Sequence, residues 1–134
     1  MHTKAIRFAV LAAAGLLAEP AFAHHVMGGK MPATFSDGLL SGLGHPVIGL
    51  DHFAAVVAVG ALAAAHPKGW RLAIGFVVAM MAGVAAHLQG ATVPGAEIVV
   101  AGSVIVLGAV LLANRNLSAA VALVLFVAVG WIHG

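Results

Sequence analysis

The chain has 134 residues, of which 63% are hydrophobic and 7% charged, with a formal charge of +2 and no cysteine. Soluble domains carry roughly 25% charged and about 45–50% apolar residues, and a chain this short buries only part of its surface on folding. Composition therefore excludes an ordinary soluble globule and makes lipid the solvent for the apolar excess. It also excludes disulfides, leaves nitrogen, oxygen and methionine sulfur as metal ligands, and offers no basic stripe for nucleic acid.

Residues 1–23 read as a cleavable secretory signal peptide. Lys4 and Arg7 form a positive n-region, Phe8 to Leu17 the apolar core, and Pro20 with Ala21-Phe22-Ala23 the break and small–x–small cleavage pattern. The apolar core is too short to span a bilayer, which argues against an uncleaved first transmembrane helix. On either reading Lys4 and Arg7 stay inside, so the mature N-terminus at His24-His25 is periplasmic.

Residues 24–44 are expected to be a periplasmic N-terminal segment, with Asp37 in a loop and a short amphipathic helix at Ser36 to Leu43. Residues 45–134 are the expected transmembrane domain, with apolar blocks at about 47–65, 70–88, 96–113 and 117–132. Each approaches the roughly 20 residues that span the hydrocarbon, the last being short. The expected fold class is an all-α membrane protein: a signal peptide followed by about four transmembrane helices in a compact bundle, multi-pass in the bacterial inner membrane. Glycine is abundant, and small residues let such helices approach closely.

The breaks set the orientation. His66-Pro67-Lys68-Gly69-Trp70-Arg71 carries two fixed positive charges and Asn114-Arg115-Asn116 one, whereas Gln89 to Gly95 carries none and holds the turn residues Pro94 and Gly95. The positive-inside rule puts the first and third breaks in the cytoplasm and the second outside, in agreement with an exported N-terminus.

On that topology the ionisable residues gather at the outer face. His45, Asp51 and His52 lie before or within the first two turns of the first block, His87 ends the second, Glu97 opens the third and His133 ends the fourth. His66 alone sits on the cytoplasmic break. An ionisable group at membrane depth costs roughly 2.5–3.5 kcal/mol and persists when paired, solvated or coordinated. Asp51 would lie roughly 6–7 Å inside a helix starting at Val47, with no Lys or Arg in any span to pair with it. A divalent cation would neutralise Asp51 and Glu97 together, and neutral imidazoles would complete its shell, as suits Ni²⁺, Co²⁺, Zn²⁺ or Cu²⁺.

His45 and His52 are seven residues apart and share a helix face. Pro46 fits the first helical position and pushes His45 out of helical dihedrals, so that His45 folds back over the helix start. Gly49 leaves room for close approach. Each residue also has a structural alternative. His45 serves equally as an interfacial cap, His52 as an interhelical hydrogen bond, and Asp51 as the partner that orients an imidazole. His87 and His133 serve as packing residues, Glu97 as a partner of a helix dipole, and His24 and His25 as a polar terminus.

The octapeptide His45-Pro46-Val47-Ile48-Gly49-Leu50-Asp51-His52, followed by Ala58-Val59-Gly60, resembles the HPxxGxDH signature of the HupE/UreJ proteins, the hydrogenase and urease accessory family. The signal peptide, the histidine near the mature N-terminus, Glu97 and Ile132-His133-Gly134 also fit. The resemblance implies a secondary permease that brings Ni²⁺, or Co²⁺, into the cytoplasm for nickel-enzyme maturation. His45, Asp51 and His52 would then be the capture residues, with Glu97 and His133 as partners. Family members continue past the pair matching His133-Gly134 into a histidine-rich stretch and another helix, so the resemblance implies a C-terminally truncated form.

Three functions compete. A nickel permease is the first reading, with a divalent metal ion and the lipid bilayer as partners, no resident cofactor, and a homo-oligomer left open. A membrane-anchored periplasmic metal-binding or accessory module without transport is the second. An intramembrane metalloprotease or haem protein is the third. It is disfavoured because HExxH is absent and the histidines lie near one surface. The expectation is a non-enzyme without a nucleotide-binding P-loop.

Overall fold

The computed structural model describes residues 33–113 and 117–134. The signal segment 1–23, His24, His25 and Arg115 lie outside the described residues. Those that are described form five helices and divide into two units, the first ending at Val56 and the second running from Val57 to Gly134.

The first unit begins with α1, Phe35–Ile48. Thr34 and Asp37 form a reciprocal capping box: the Thr34 hydroxyl accepts from the Asp37 N–H, and the Asp37 carboxylate accepts from the Thr34 N–H, both at 3.1 Å. Asp37 thus belongs to the first helical turn and not to a loop. The cap satisfies two of the N–H groups that a helix start leaves orphaned. No residue of α1 is buried.

Pro46 sits in the last turn of α1, not at the start of the next helix. It removes one N–H from that turn, and the helix ends at Ile48. Gly49 is extended (φ −77°, ψ 105°) and closes both sides of the break. Its N–H donates to His45 O at 2.9 Å, ending α1, and its carbonyl accepts from Phe53 N–H at 2.8 Å, starting the next helix. That helix, α2, is Leu50–Ala64 and diverges from α1 by 78°. The first apolar block therefore starts its helix at Leu50, three residues after the position expected from sequence, and the helix before it is longer than expected.

The second unit contains the end of α2, then α3 (Gly69–Leu88), α4 (Ala96–Leu112) and α5 (Ala119–His133). Gly69 starts α3 close against the Ala63 carbonyl, where a side chain has no space. Gly95, at φ +68°, caps α4 in a left-handed conformation open to glycine. Ser118 caps α5 by accepting from Val121 N–H. These bounds match the second, third and fourth apolar blocks to within two residues.

Within this unit α3 packs along α5, and α5 also meets α4. The α3–α5 seam is built from small residues at helical spacing. Gly83 lies against the Trp131 carbonyl, Gly130 against the Phe76 carbonyl and Ala79 Cβ, and Gly134 against the Met80 carbonyl. Phe76 on α3 and Phe126 on α5 are both buried. Lipid gives helices no hydrophobic reason to associate, so close backbone approach through small residues is how spans pack. The outward positions are the apolar ones: Val121, Val124, Val127 and Trp131 repeat along α5 and are exposed, as are Ile74, Val77, Val78 and Met81 on α3.

Among the described residues α3, with 20 residues, is long and apolar enough to cross a membrane by itself. At ~1.5 Å per residue it covers about 30 Å, the hydrocarbon thickness. The α1–α2 pair meets the same test if its two arms count as one broken span, and α4 and α5 are shorter apolar helices of 17 and 15 residues.

Candidate metal site at the helix break

The break at Gly49 gathers three of the expected site residues. Asp51 is the second residue of α2, where a carboxylate meets the positive end of the helix dipole. It therefore sits at the break itself and not a full turn inside a helix. Its Oδ1 accepts from the His52 backbone N–H at 2.8 Å and lies 2.9 Å from His52 Nδ1. A carboxylate can only accept, so Nδ1 carries the hydrogen and the lone pair of the neutral ring is on Nε2. The His52 side chain is buried, whereas 32% of the Asp51 side-chain surface remains exposed.

His45 is reached from the other arm. It lies in the last turn of α1, in helical conformation and not displaced by Pro46. Its ring stands edge-on to that of His52, with centroids 4.5 Å apart and planes at 74°. The 78° bend brings the two imidazoles together, and not a shared face of one helix. Gly49 lies in the angle. A Cβ there would stand 3.1 Å from Asp51 Oδ1 and 3.3 Å from both His52 Nδ1 and His45 O. The glycine is thus what lets the carboxylate and imidazole sit so close to the backbone.

The remaining expected residues are placed separately. Glu97 is exposed in the first turn of α4, and His87 is exposed in the last turn of α3. His133 is buried at the end of α5, with Nε2 2.8 Å from Ser103 Oγ on α4. Among the described residues no three His, Asp or Glu side chains converge as a ready-made metal site. Asp51 accepts from the His52 ring at Nδ1. Such a carboxylate–histidine pair fixes the tautomer and raises the basicity of a metal-binding imidazole.

Sequence reasoning missed Ser103. A lone hydroxyl inside the apolar run Val100 to Leu112 is itself a signal, since such groups bond back to a carbonyl or reach across to another helix.

The fold and this cluster define a class: an all-helical, membrane-compatible protein with an acid–imidazole group at a broken helix. Comparison with known sequences makes it specific. The chain belongs to the HupE / UreJ protein family, whose profile matches residues 11–134. That family comprises hydrogenase and urease accessory proteins. The chain is similar to Protein HupE of Rhizobium leguminosarum bv. viciae, at 37% identity over 94 residues. The match covers 69% of this chain and 47% of that relative, so the chain spans about half the length of the curated relative it matches. No solved structure matches.

Proposed function

We propose that the protein is a multi-pass inner-membrane permease that imports Ni²⁺, or Co²⁺, from the periplasm to supply nickel-enzyme maturation. The observation that carries this reading is the His45–Asp51–His52 group at the Gly49 break. Transporters place ion sites at interrupted helices, where helix ends and unwound backbone face the ion. Here the carbonyl end of α1, which favours a cation, and two imidazoles meet beside one carboxylate.

Two imidazoles suit Ni²⁺ and Co²⁺, and the carboxylate offsets part of the charge. A sparse donor set fits a cargo that must leave again, because conduction requires binding weak enough for release. Water fills the remaining coordination positions. Glu97, His87 and His133 are proposed as further contacts along the route, and His24 and His25 as a first capture point. Inward movement of a divalent ion is favoured by about 4.6 kcal/mol per 100 mV of membrane potential.

The orientation follows from charge. Lys68 and Arg71 flank the α2–α3 turn, and the Arg71 guanidinium lies 5.2 Å from the centre of the exposed Trp70 ring. A Trp with basic neighbours suits a cytoplasmic interface, which supports a cytoplasmic α2–α3 turn in this reading.

The test is labelled-nickel accumulation by cells expressing the protein, with nickel binding measured on the purified chain. Accumulation that is lost in Asp51→Asn and His52→Ala supports the permease. Binding without accumulation supports a periplasmic capture module instead.

A further inference from the structure

Helix α1 turns its apolar side outward. At about 3.6 residues per turn, Phe35, Leu39, Leu40, Leu43 and Val47 fall on one side of the helix, and Asp37, Ser41, Gly44 and His45 fall on the other. The apolar residues are exposed, Phe35 to 87%, whereas those of the polar side are half-buried. A helix that meets water shows the reverse pattern. Two residues depart from the division. Ile48 ends the helix on the polar side. Ser36 lies on the apolar side, in the first turn, where its hydroxyl is 3.0 Å from Thr34 Oγ.

Length and angle decide how such a helix meets a bilayer. With 15 residues, α2 covers about 22 Å, roughly 8 Å short of the hydrocarbon thickness. Extending the span through α1 does not supply the difference. The 14 residues of α1 measure about 21 Å, but at 78° they advance only about 4 Å along the α2 axis. A helix lying in the membrane surface does supply it, because its apolar side sinks about 5–10 Å into the headgroup–acyl boundary and takes the start of α2 down with it. The bend is close to perpendicular, as a surface helix feeding an upright one requires. The exposed apolar surface of α1 also resumes beyond the break, at Leu50 and Phe53 of α2.

We infer that α1 is an interfacial helix that lies along the membrane surface, with Phe35, Leu39, Leu40, Leu43 and Val47 on the lipid acyl chains. Its partner is the lipid surface itself. The helix contains no Lys or Arg, so apolar burial holds it and a zwitterionic lipid is sufficient. The placement rests on the membrane reading of the chain and needs no movement of metal. It sets the Gly49 break at headgroup depth and keeps His45, on the opposite side from the lipid, against His52.

The experiment uses the full chain in phosphatidylcholine nanodiscs, with spin labels on single introduced cysteines. Leu39→Cys, Leu40→Cys and Leu43→Cys report the apolar side, Gly38→Cys and Ser41→Cys the polar side, and Val78→Cys the middle of α3. Collision with oxygen, which concentrates in lipid, is compared with collision with water-soluble chromium oxalate. Oxygen should dominate at Leu39, Leu40 and Leu43, at a depth of about 5–10 Å, and chromium oxalate should gain at Gly38 and Ser41. The ratio therefore oscillates with the helical period, which no single misfolded variant can imitate. Labels that deepen steadily from Gly38 to Leu43, whatever their side, make α1 part of a broken span and overturn the proposal. Apolar-side labels shielded from both reagents show a protein partner, such as a second copy, and overturn it as well. Apolar-side labels open to chromium oxalate, with Val78 deep in lipid, overturn the interfacial helix alone. A Val78 label open to chromium oxalate overturns the membrane reading together with it.

Discussion

His52 Nδ1 donates to Asp51 Oδ1 at 2.9 Å across a single peptide bond, and the same oxygen accepts the His52 backbone N–H. One carboxylate oxygen thereby orients both the start of α2 and the imidazole that the start presents. The arrangement exists because Gly49 ends one helix and begins another directly in front of it.

Asp51→Asn separates charge from hydrogen bonding. The amide oxygen can still accept, but the negative charge beside His52 is gone. Initial nickel uptake is expected to fall by about 10-fold or more, with helix content by circular dichroism unchanged because the side chain is partly exposed.

Gly49→Ala tests the space in the angle. The backbone there is extended with negative φ, which alanine adopts without strain. The added methyl presses instead on Asp51 Oδ1 and His52 Nδ1. Uptake should fall several-fold while the thermal midpoint of the solubilised protein moves little. A normal uptake rate would show that the pair tolerates displacement.

Glycine substitutions in the seam and outside it should differ in sign. A methyl at Gly83 or Gly130 runs into the Trp131 or Phe76 carbonyl, an overpacking expected to destabilise by about 1–3 kcal/mol. Gly108 in α4 has nothing within 4 Å of the added carbon. Gly108→Ala is therefore neutral or stabilising by up to about 1 kcal/mol, from the helix preference of alanine over glycine. Thermal unfolding in one detergent compares all three.

The chain has no cysteine, so single introduced cysteines report topology against a clean background. Lys68→Cys should be shielded from a membrane-impermeant maleimide in intact cells. Thr92→Cys should react. Labelling in the reverse pattern would place the Gly49 break in the cytoplasm.

Much of the helical pattern was legible because composition and punctuation agree. Lys68-Gly69, Pro94-Gly95 and Ser118 stop or start helices by mechanisms that sequence reveals, and α3, α4 and α5 begin within two residues of where those signals put them. The break before α2 is hidden in the sequence because proline is acceptable both at a helix start and in a final turn. Pro46 fits either, and the Gly49 N–H and carbonyl bonds decide for the final turn. Asp37 is expected in a loop from sequence, although Thr34-x-x-Asp37 has capping-box spacing. Residue types identified His45, Asp51 and His52 as a group, but not the bend that joins them. Nor could they reveal the partner of His133, since Ser103 is 30 residues away in sequence.

The most direct test of the central claim is nickel flux into proteoliposomes of the purified protein under an inside-negative potential. The account predicts accumulation by the wild type that grows with the potential and is lost in His45→Ala, Asp51→Asn and His52→Ala. Accumulation by those variants at the wild-type rate, or none by the wild type, would contradict it.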